Sequence, residues 1–372
     1  MIVINYGKQS INQDDIDSVI EVLKSDFLTQ GPKVPEFENA LKKFCNVGYV
    51  KVVSNATAAL HLAYLALGLK PGDLLWTSPN TFVSTANAAI FCGANVDFVD
   101  IDPRTYNISI ECLREKLIHA KRNNQLPKIV APVHFAGQSC EMKDIWELSK
   151  EYGFSIVEDA SHALGGEYLG KRVGNCEFSD ISVFSFHPVK MITTGEGGAI
   201  ATNSKELDAI IDLLRSHGIT KDKKKFLNEA DGKWYYEQQA LGFNYRLTEI
   251  QAALGISQLK RLDSFVSKRQ EIANFYLSNL PESIVPFQHP DTSSSWHLFV
   301  IQTDNRKEVF QKLLDHGIQT QVHYIPVNSQ PYYARESLKN SKYFYEKCLS
   351  LPIFFDLTHE EREKVVKTFF DD

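Results

Sequence analysis

Apolar positions recur at helical spacing near the start of the chain, at Ile11, Ile16, Val19, Ile20 and Leu23, with Ser10 or Asn12 placed to cap. This predicts a helix over residues 11–24. The break Leu28-Thr29-Gln30-Gly31-Pro32 leads to a second helix over 34–45. A strand follows at 49–53, then the turn Ser54-Asn55-Ala56-Thr57 and an Ala/Leu-rich helix over 56–67. Beyond it, short apolar runs alternate with amphipathic stretches. Strands are expected at 74–77, 96–99, 129–133, 155–158, 179–186 and 198–201, and helices at 81–92, 109–120 and 140–152. That alternation predicts an α/β fold, a mostly parallel central sheet with helices on both faces.

The pattern changes after residue 246. Residues 247–279 keep an apolar stripe (Leu247, Ile250, Leu254, Leu259, Leu262, Phe265, Ile272) up to Pro281, which predicts one long helix. Strands at 296–302 and 318–323, with helices at 306–316 and 341–349, then predict a smaller α+β unit. The expected division is a large α/β domain over 1–250 and a small C-terminal α+β domain over 251–372, with the long helix bridging them.

Candidate chemistry concentrates in residues 181–199, ISVFSFHPVKMITTGEGGA. An apolar strand runs to Phe186, Pro188 stops it, and Lys190 precedes a glycine-rich turn. A lysine between a serine and such a turn suits a Schiff-base lysine with a phosphate nearby; a solvated loop lysine is the other reading. The Ser54–Thr57 turn either caps its helix or binds an anion through the free N–H groups of the first turn. A third polar stretch, Glu158-Asp159-Ala160-Ser161-His162, also follows a strand. Ligands in open α/β sheets gather at the carboxyl ends of strands, which brings the three stretches together. An aspartate with a downstream lysine matches what pyridoxal phosphate (PLP) needs, a partner for the pyridine nitrogen and an amine for its aldehyde.

Composition narrows the setting. At 372 residues with 43% hydrophobic and 23% charged positions, the chain has the make-up of a globular protein of one or two domains. A net charge of −6 without long like-charged runs gives no nucleic-acid or anionic-membrane surface. The cluster Lys221-Asp222-Lys223-Lys224-Lys225 reads as a solvated loop. No signal-peptide pattern and no span of about 18 apolar residues is visible. Six scattered cysteines without CxxC or metal-like spacing read as reduced thiols, so no metal site and a cytoplasmic location are expected.

The pieces SNATAALHLA, NTFVSTANAA, VEDASHALGGEY, SVFSFHPVKMITTGEGGA, RSHGI and LGFNYRLTEIQAALG, in this order, resemble the DegT/DnrJ sugar aminotransferases over nearly the whole chain. The resemblance implies a PLP-dependent transferase of fold type I. It assigns Lys190 as the Schiff-base lysine, Ser185, Ala56 and Thr57 to the cofactor phosphate, and Phe82 to the ring face. Asp159 becomes the pyridinium partner and His162 a neighbour of the ring hydroxyl. Asn244 would reach the phosphate of the adjacent subunit, which implies a homodimer with shared sites. Relatives that act as dehydratases carry histidine in place of the lysine; with Lys190 present, transamination is implied.

HPVKMITTGEGG, WYYEQQALGFNYRLTEIQAALG and VHYIPVNSQPYY are most similar to the branch of the family in pseudaminic acid biosynthesis. That branch implies L-glutamate as amino donor and a UDP-linked 4-keto sugar as acceptor, with Tyr6, Thr29, Gln30, His323 and Tyr324 in sugar-nucleotide-binding segments. Another UDP- or GDP-linked 4-keto sugar is the alternative substrate. His323-Tyr324 read equally as a packed strand end. Arg246 either faces a phosphate or pairs with Glu249, and His187 either touches ligand or shapes the turn. Two rival classes are a cysteine desulfurase or lyase using Cys176, and a non-catalytic ligand-binding regulator on the same fold.

Overall fold

The computed structural model describes residues 3–370. Helices α1 (Gln13–Leu23) and α2 (Lys33–Cys45) lead into β1 (Tyr49–Val53) and α3 (Ala56–Ala66). Then follow β2 (Leu74–Thr77), α4 (Ser84–Phe91), β3 (Asn95–Phe98), α5 (Ile110–Arg122), β4 (Ile129–Ala131), α6 (Met142–Tyr152) and β5 (Ser155–Asp159). Two short strands, β6 (Glu167–Tyr168) and β7 (Lys171–Arg172), precede β8 (Ile181–Ser185), β9 (Gly198–Thr202) and α7 (Lys205–Arg215). An excursion holds β10 (Ile219–Thr220) and β11 (Glu237–Gln238). The chain ends with α8 (Glu249–Leu259), α9 (Leu262–Asn279), β12 (Thr292–Ser293), β13 (Phe299–Gln302), α10 (Arg306–Asp315), α11 (Lys339–Lys347), β14 (Cys348–Leu351) and α12 (His359–Phe370).

Seven strands form the central sheet in the order β1-β9-β8-β5-β4-β2-β3. All run the same way except β9, which is antiparallel to both β1 and β8. Every residue of β8 and β9 is buried, because helices cover both faces. The carboxyl ends of β1, β5 and β8 and the start of β9 therefore share one sheet edge. A large apolar side chain buried this way contributes roughly 1.5–3 kcal/mol.

Local chemistry explains the element ends. Asn12, one of the two expected caps, closes α1 in a reciprocal capping box with Asp15. Helix α2 has no capping side chain of its own; the Glu249 carboxylate accepts the N–H groups of Lys33 at 2.7 Å and Val34 at 3.1 Å instead. Among the described residues Glu249 forms no ion pair with Arg246, whose Nε is buried without a partner there.

Three expectations need correction. The long helix over 247–279 is two helices, α8 and α9, interrupted at Lys260-Arg261. There the Arg261 guanidinium is drawn onto the buried Asp15 carboxylate and the Ser10 carbonyl, and the chain turns from α1 toward the C-terminal core. Residues 318–323 make only isolated bridges, Ile4 with Ile318 and Gln321 with Ser350, not a strand. The expected helix over 341–349 stops at Lys347, because Cys348–Leu351 is fully buried and pairs with β13.

A separate apolar cluster joins α9, α10, α12, β13 and β14, with Ile4 from the N-terminal segment. Among the described residues, no helix is long and apolar enough to cross a membrane.

Candidate active site

A cavity of about 950 Å³ opens at the sheet edge where β1, β5 and β8 end. Its wall brings together Ala56, Thr57, Phe82, Asp159, His162, Ser185 and Lys190 from the α/β part, with Tyr6, His323 and Tyr324. Thr29 and Gln30 are exposed and lie outside this wall, as does exposed Asn244. His187 lines it; Arg246 does not.

At one end the N-terminus of α3 faces the cavity. Ala58 N–H is taken by Asn55 Oδ1 at 2.8 Å and Ala59 N–H by the Asn55 carbonyl at 3.1 Å. The N–H groups of Ala56 and Thr57 have no partner among the described residues. Asn55 thus caps the helix while its first two N–H groups stay open to an anion, so the two readings of this turn coexist. Thr57 donates its hydroxyl to Ser84 Oγ at 2.9 Å, which leaves the Ser84 proton free beside the cavity. Gly198, at the start of β9, lies so close that an added Cβ would come within 2.8 Å of Ala56 N and 2.7 Å of the Asn55 carbonyl carbon. Only glycine lets β9 run against the base of this anion site.

At the other end stands Asp159. Thr85 donates to its Oδ2 at 2.6 Å and Ser161 N–H to its Oδ1 at 3.2 Å, fixing the plane of the carboxylate. Phe82 keeps 59% of its surface exposed, an apolar face turned to the cavity rather than packed in the core. Cavity, open anion site, exposed aromatic face and fixed carboxylate together fit PLP, a planar phosphate ester with a ring nitrogen.

Lys190 sits between these ends, in the turn after β8, with Lys190 N–H bonded to the His187 carbonyl at 2.8 Å. Burial brings its amine down to about 8, and Asp159 is the one charge that offsets it. Asp159 is thus both a wall of the site and the counter-charge to the lysine. A solvated loop lysine would show neither property.

Three histidines surround this amine. Burial, then Lys190, holds His162 well below the ordinary histidine value. His323 is brought to about 3 by the same two causes and bonds Ser350 Oγ at 2.8 Å. His297, which sequence reasoning missed, is held low by burial and by His162, whose ring is 4.4 Å away. Its Nδ1 is buried without a partner among the described residues. Thr85 was also missed. The first sits in the apolar run Trp296–Ile301 and the second inside a helix, and nothing local marks either one.

Cys176 lies outside the cavity, its thiol turned to the Ala201 carbonyl at 3.3 Å and pushed well above the ordinary thiol range by burial. A desulfurase thiol needs the opposite, exposure and a low pKa.

Fold and site define a PLP-dependent transferase of fold type I. The chain matches the DegT/DnrJ/EryC1/StrS aminotransferase family over residues 9–370 and belongs to it. It is 41% identical, over 99% of this chain and 97% of the relative, to the UDP-4-amino-4,6-dideoxy-N-acetyl-beta-L-altrosamine transaminase of Campylobacter jejuni subsp. jejuni serotype O:23/36 (strain 81-176). Among solved structures it resembles Helicobacter pylori PseC, an aminotransferase involved in the biosynthesis of pseudoaminic acid. The TM-score is 0.90 at 35% identity, over 99% of this chain and 98% of that one. Spr1654 from Streptococcus pneumoniae, solved in PMP and PLP forms, has a TM-score of 0.87 at 27% identity in the PMP form, over 98% of each chain. Membership makes the chain a PLP-dependent sugar aminotransferase.

Proposed function

We propose that the chain moves the amino group of L-glutamate to C4 of a nucleotide-linked 4-keto-6-deoxy sugar. The sugar in this reading is UDP-2-acetamido-2,6-dideoxy-β-L-arabino-hex-4-ulose. Its product is the UDP-4-amino-4,6-dideoxy-N-acetyl-β-L-altrosamine named for the 41% identical Campylobacter relative. The observation that carries the reading is the Lys190 amine, brought to about 8 and facing a cavity with an anion site at one end and Asp159 at the other.

The residues that would hold PLP are Lys190 as covalent anchor, Ala56, Thr57 and Ser185 at the phosphate, Phe82 at the ring face, Asp159 at the ring nitrogen and His162 beside the ring hydroxyl. When bound, the cofactor supplies an electron sink for the carbanion at the amino-acid Cα. Lys190 Nζ takes the proton from the Cα of L-glutamate and later delivers one to C4 of the sugar. An amine near 8 serves in both directions at neutral pH, and such a positioned acid–base group is typically worth about 10²–10⁴-fold. Tyr6, His323 and Tyr324 line the same cavity and would receive the sugar; Thr29 and Gln30 would meet the nucleotide beyond the wall.

The same reading divides the chain at residue 250, with 1–250 carrying the cofactor and 251–372 covering it. The apolar cluster of α9, α10, α12, β13 and β14 supports that division. A homodimer in which Asn244 reaches the neighbouring site is supported by its exposure, and by Leu241 at 83% and Trp234 at 76% exposed nearby. A nucleotide-sugar substrate suits a cytoplasmic enzyme.

The test is mass spectrometry of products from a panel of UDP- and GDP-linked 4-keto sugars with L-glutamate and PLP. The UDP-linked L-arabino 4-ulose is expected to be aminated in preference. Preference for a GDP-linked sugar, or no amination of any, contradicts the assignment.

A further inference from the structure

One run of hydrogen bonds that ends in the cavity wall has a direction imposed by the backbone. It starts at Ala136, in the tight turn Phe135–Gly137, whose φ of +58° places a non-glycine residue in the left-handed region. The turn is pinned on several sides. Phe135 N–H donates to Asn107 Oδ1 at 2.9 Å, Leu298 N–H to the Ala136 carbonyl at 3.2 Å, and Ser295 N–H to the Gly137 carbonyl at 3.1 Å. Held there, Ala136 N–H donates to His162 Nδ1 at 3.3 Å. An amide proton stays on its nitrogen, so Nδ1 can only accept. On the other side of the ring, His162 Nε2 lies 3.0 Å from Tyr324 Oη.

Charge fixes the remaining proton. Burial, Lys190, His323 and His134 all disfavour a charged His162, and His297 packs against it as a second neutral ring. A neutral imidazole whose Nδ1 accepts carries its proton on Nε2. That proton goes to Tyr324 Oη, so the hydroxyl accepts from His162 and must send its own proton elsewhere. Tyr324 lines the cavity with Phe82 and Lys190, and burial keeps its phenol protonated.

We propose that Tyr324 donates a hydrogen bond to a carbonyl or anionic oxygen of the bound ligand, with His162 as the residue that positions it. The proposal rests on the function given for the chain in naming two candidate oxygens, the sugar's 4-keto oxygen and the phenolic oxygen of the cofactor. An ammonium group cannot accept this bond. On the sugar, the contact would therefore distinguish the keto substrate from the amino product.

Two measurements test it. In the cofactor-free protein labelled with ¹⁵N-histidine, His162 is expected as the Nε2–H tautomer between about pH 6 and 8. An Nδ1–H tautomer or an imidazolium in that range overturns the proposal, whatever the chain's substrate. In the Tyr324→Phe holoenzyme, the L-glutamate step and amine transfer to the UDP-linked keto sugar are followed separately. A loss of about 100-fold in the sugar step alone, with an unchanged cofactor spectrum, assigns the bond to the sugar oxygen. A displaced pH titration of the cofactor's visible absorbance, with a slower L-glutamate step, assigns it to the cofactor oxygen. An unchanged spectrum with both steps unchanged overturns the proposal. His162→Gln keeps an N–H donor and is expected to retain more of the rate than His162→Leu; equal losses overturn the role of His162.

Discussion

Thr85 on α4 donates its hydroxyl to Asp159 at the end of β5, at 2.6 Å, and stands 2.9 Å from the Thr81 hydroxyl, which can donate to it in turn. The carboxylate that offsets the Lys190 charge is therefore oriented by a helix, through a residue with no titratable group. Thr85→Val keeps the shape and removes the donor. A hydrogen bond to a charged group is worth about 1.5–3 kcal/mol, so PLP affinity is expected to fall about 10- to 100-fold with the fold intact. Titration of the apoprotein followed by absorbance checks this. An unchanged dissociation constant would show that Thr85 does not act through Asp159.

Lys190 carries a pH dependence whose sign follows from its pKa. The folded value of about 8 lies below the ordinary lysine value of 10.5. Below about 8 the amine is protonated in both the folded and unfolded states, and burying the charge destabilises the cofactor-free fold in full. As pH rises from 8 toward 10.5 the folded form is neutral while the unfolded chain still binds the proton, so that penalty is relieved. A depression of this size is worth at most about 3 kcal/mol. Lys190→Met should stabilise the cofactor-free protein at pH 7, with an advantage that shrinks as pH rises through this window. Thermal unfolding of both proteins across pH 7–10 measures it, and a constant difference would count against a desolvated amine.

Asn244 is exposed and outside the cavity of its own chain, the placement expected of a residue that serves a neighbouring site. Lys190→Ala and Asn244→Asp chains, each inactive alone, should regain activity when mixed as heterodimers. One of the two sites then receives both native residues. Up to about half the wild-type activity per heterodimer is expected for shared sites. No recovery, with heterodimers present by mass, would place Asn244 in service of its own chain.

Much of the fold was legible because its elements carry strong local signals. Strand β2 begins and ends where the pattern put it, and α1, α2 and α3 lie within about two residues of expectation. The candidate site, a cavity that both residues line, was legible where chemistry clashed with packing, at Lys190 in a glycine-rich turn and at Asp159 after a buried strand. Information that lives in tertiary contacts was not legible. The stripe of residues 247–279 runs through Arg261, and its contact with Asp15, far away in sequence, at the point where α8 ends and α9 begins has no local signal. Thr85 reads as one more small helix residue, and His297 as part of a strand. Their roles exist only once β5, α4 and the segment before β13 meet around one cavity.

The central claim is that Lys190 anchors PLP and moves protons in this cavity. The most direct measurement is the visible absorbance of the purified chain with PLP, before and after L-glutamate, for wild type and Lys190→Ala. Wild type is expected to be yellow and to bleach on addition of L-glutamate. Lys190→Ala is expected to lose the lysine-dependent absorbance and all turnover. A Lys190→Ala protein with the wild-type spectrum and wild-type bleaching by L-glutamate would contradict the account.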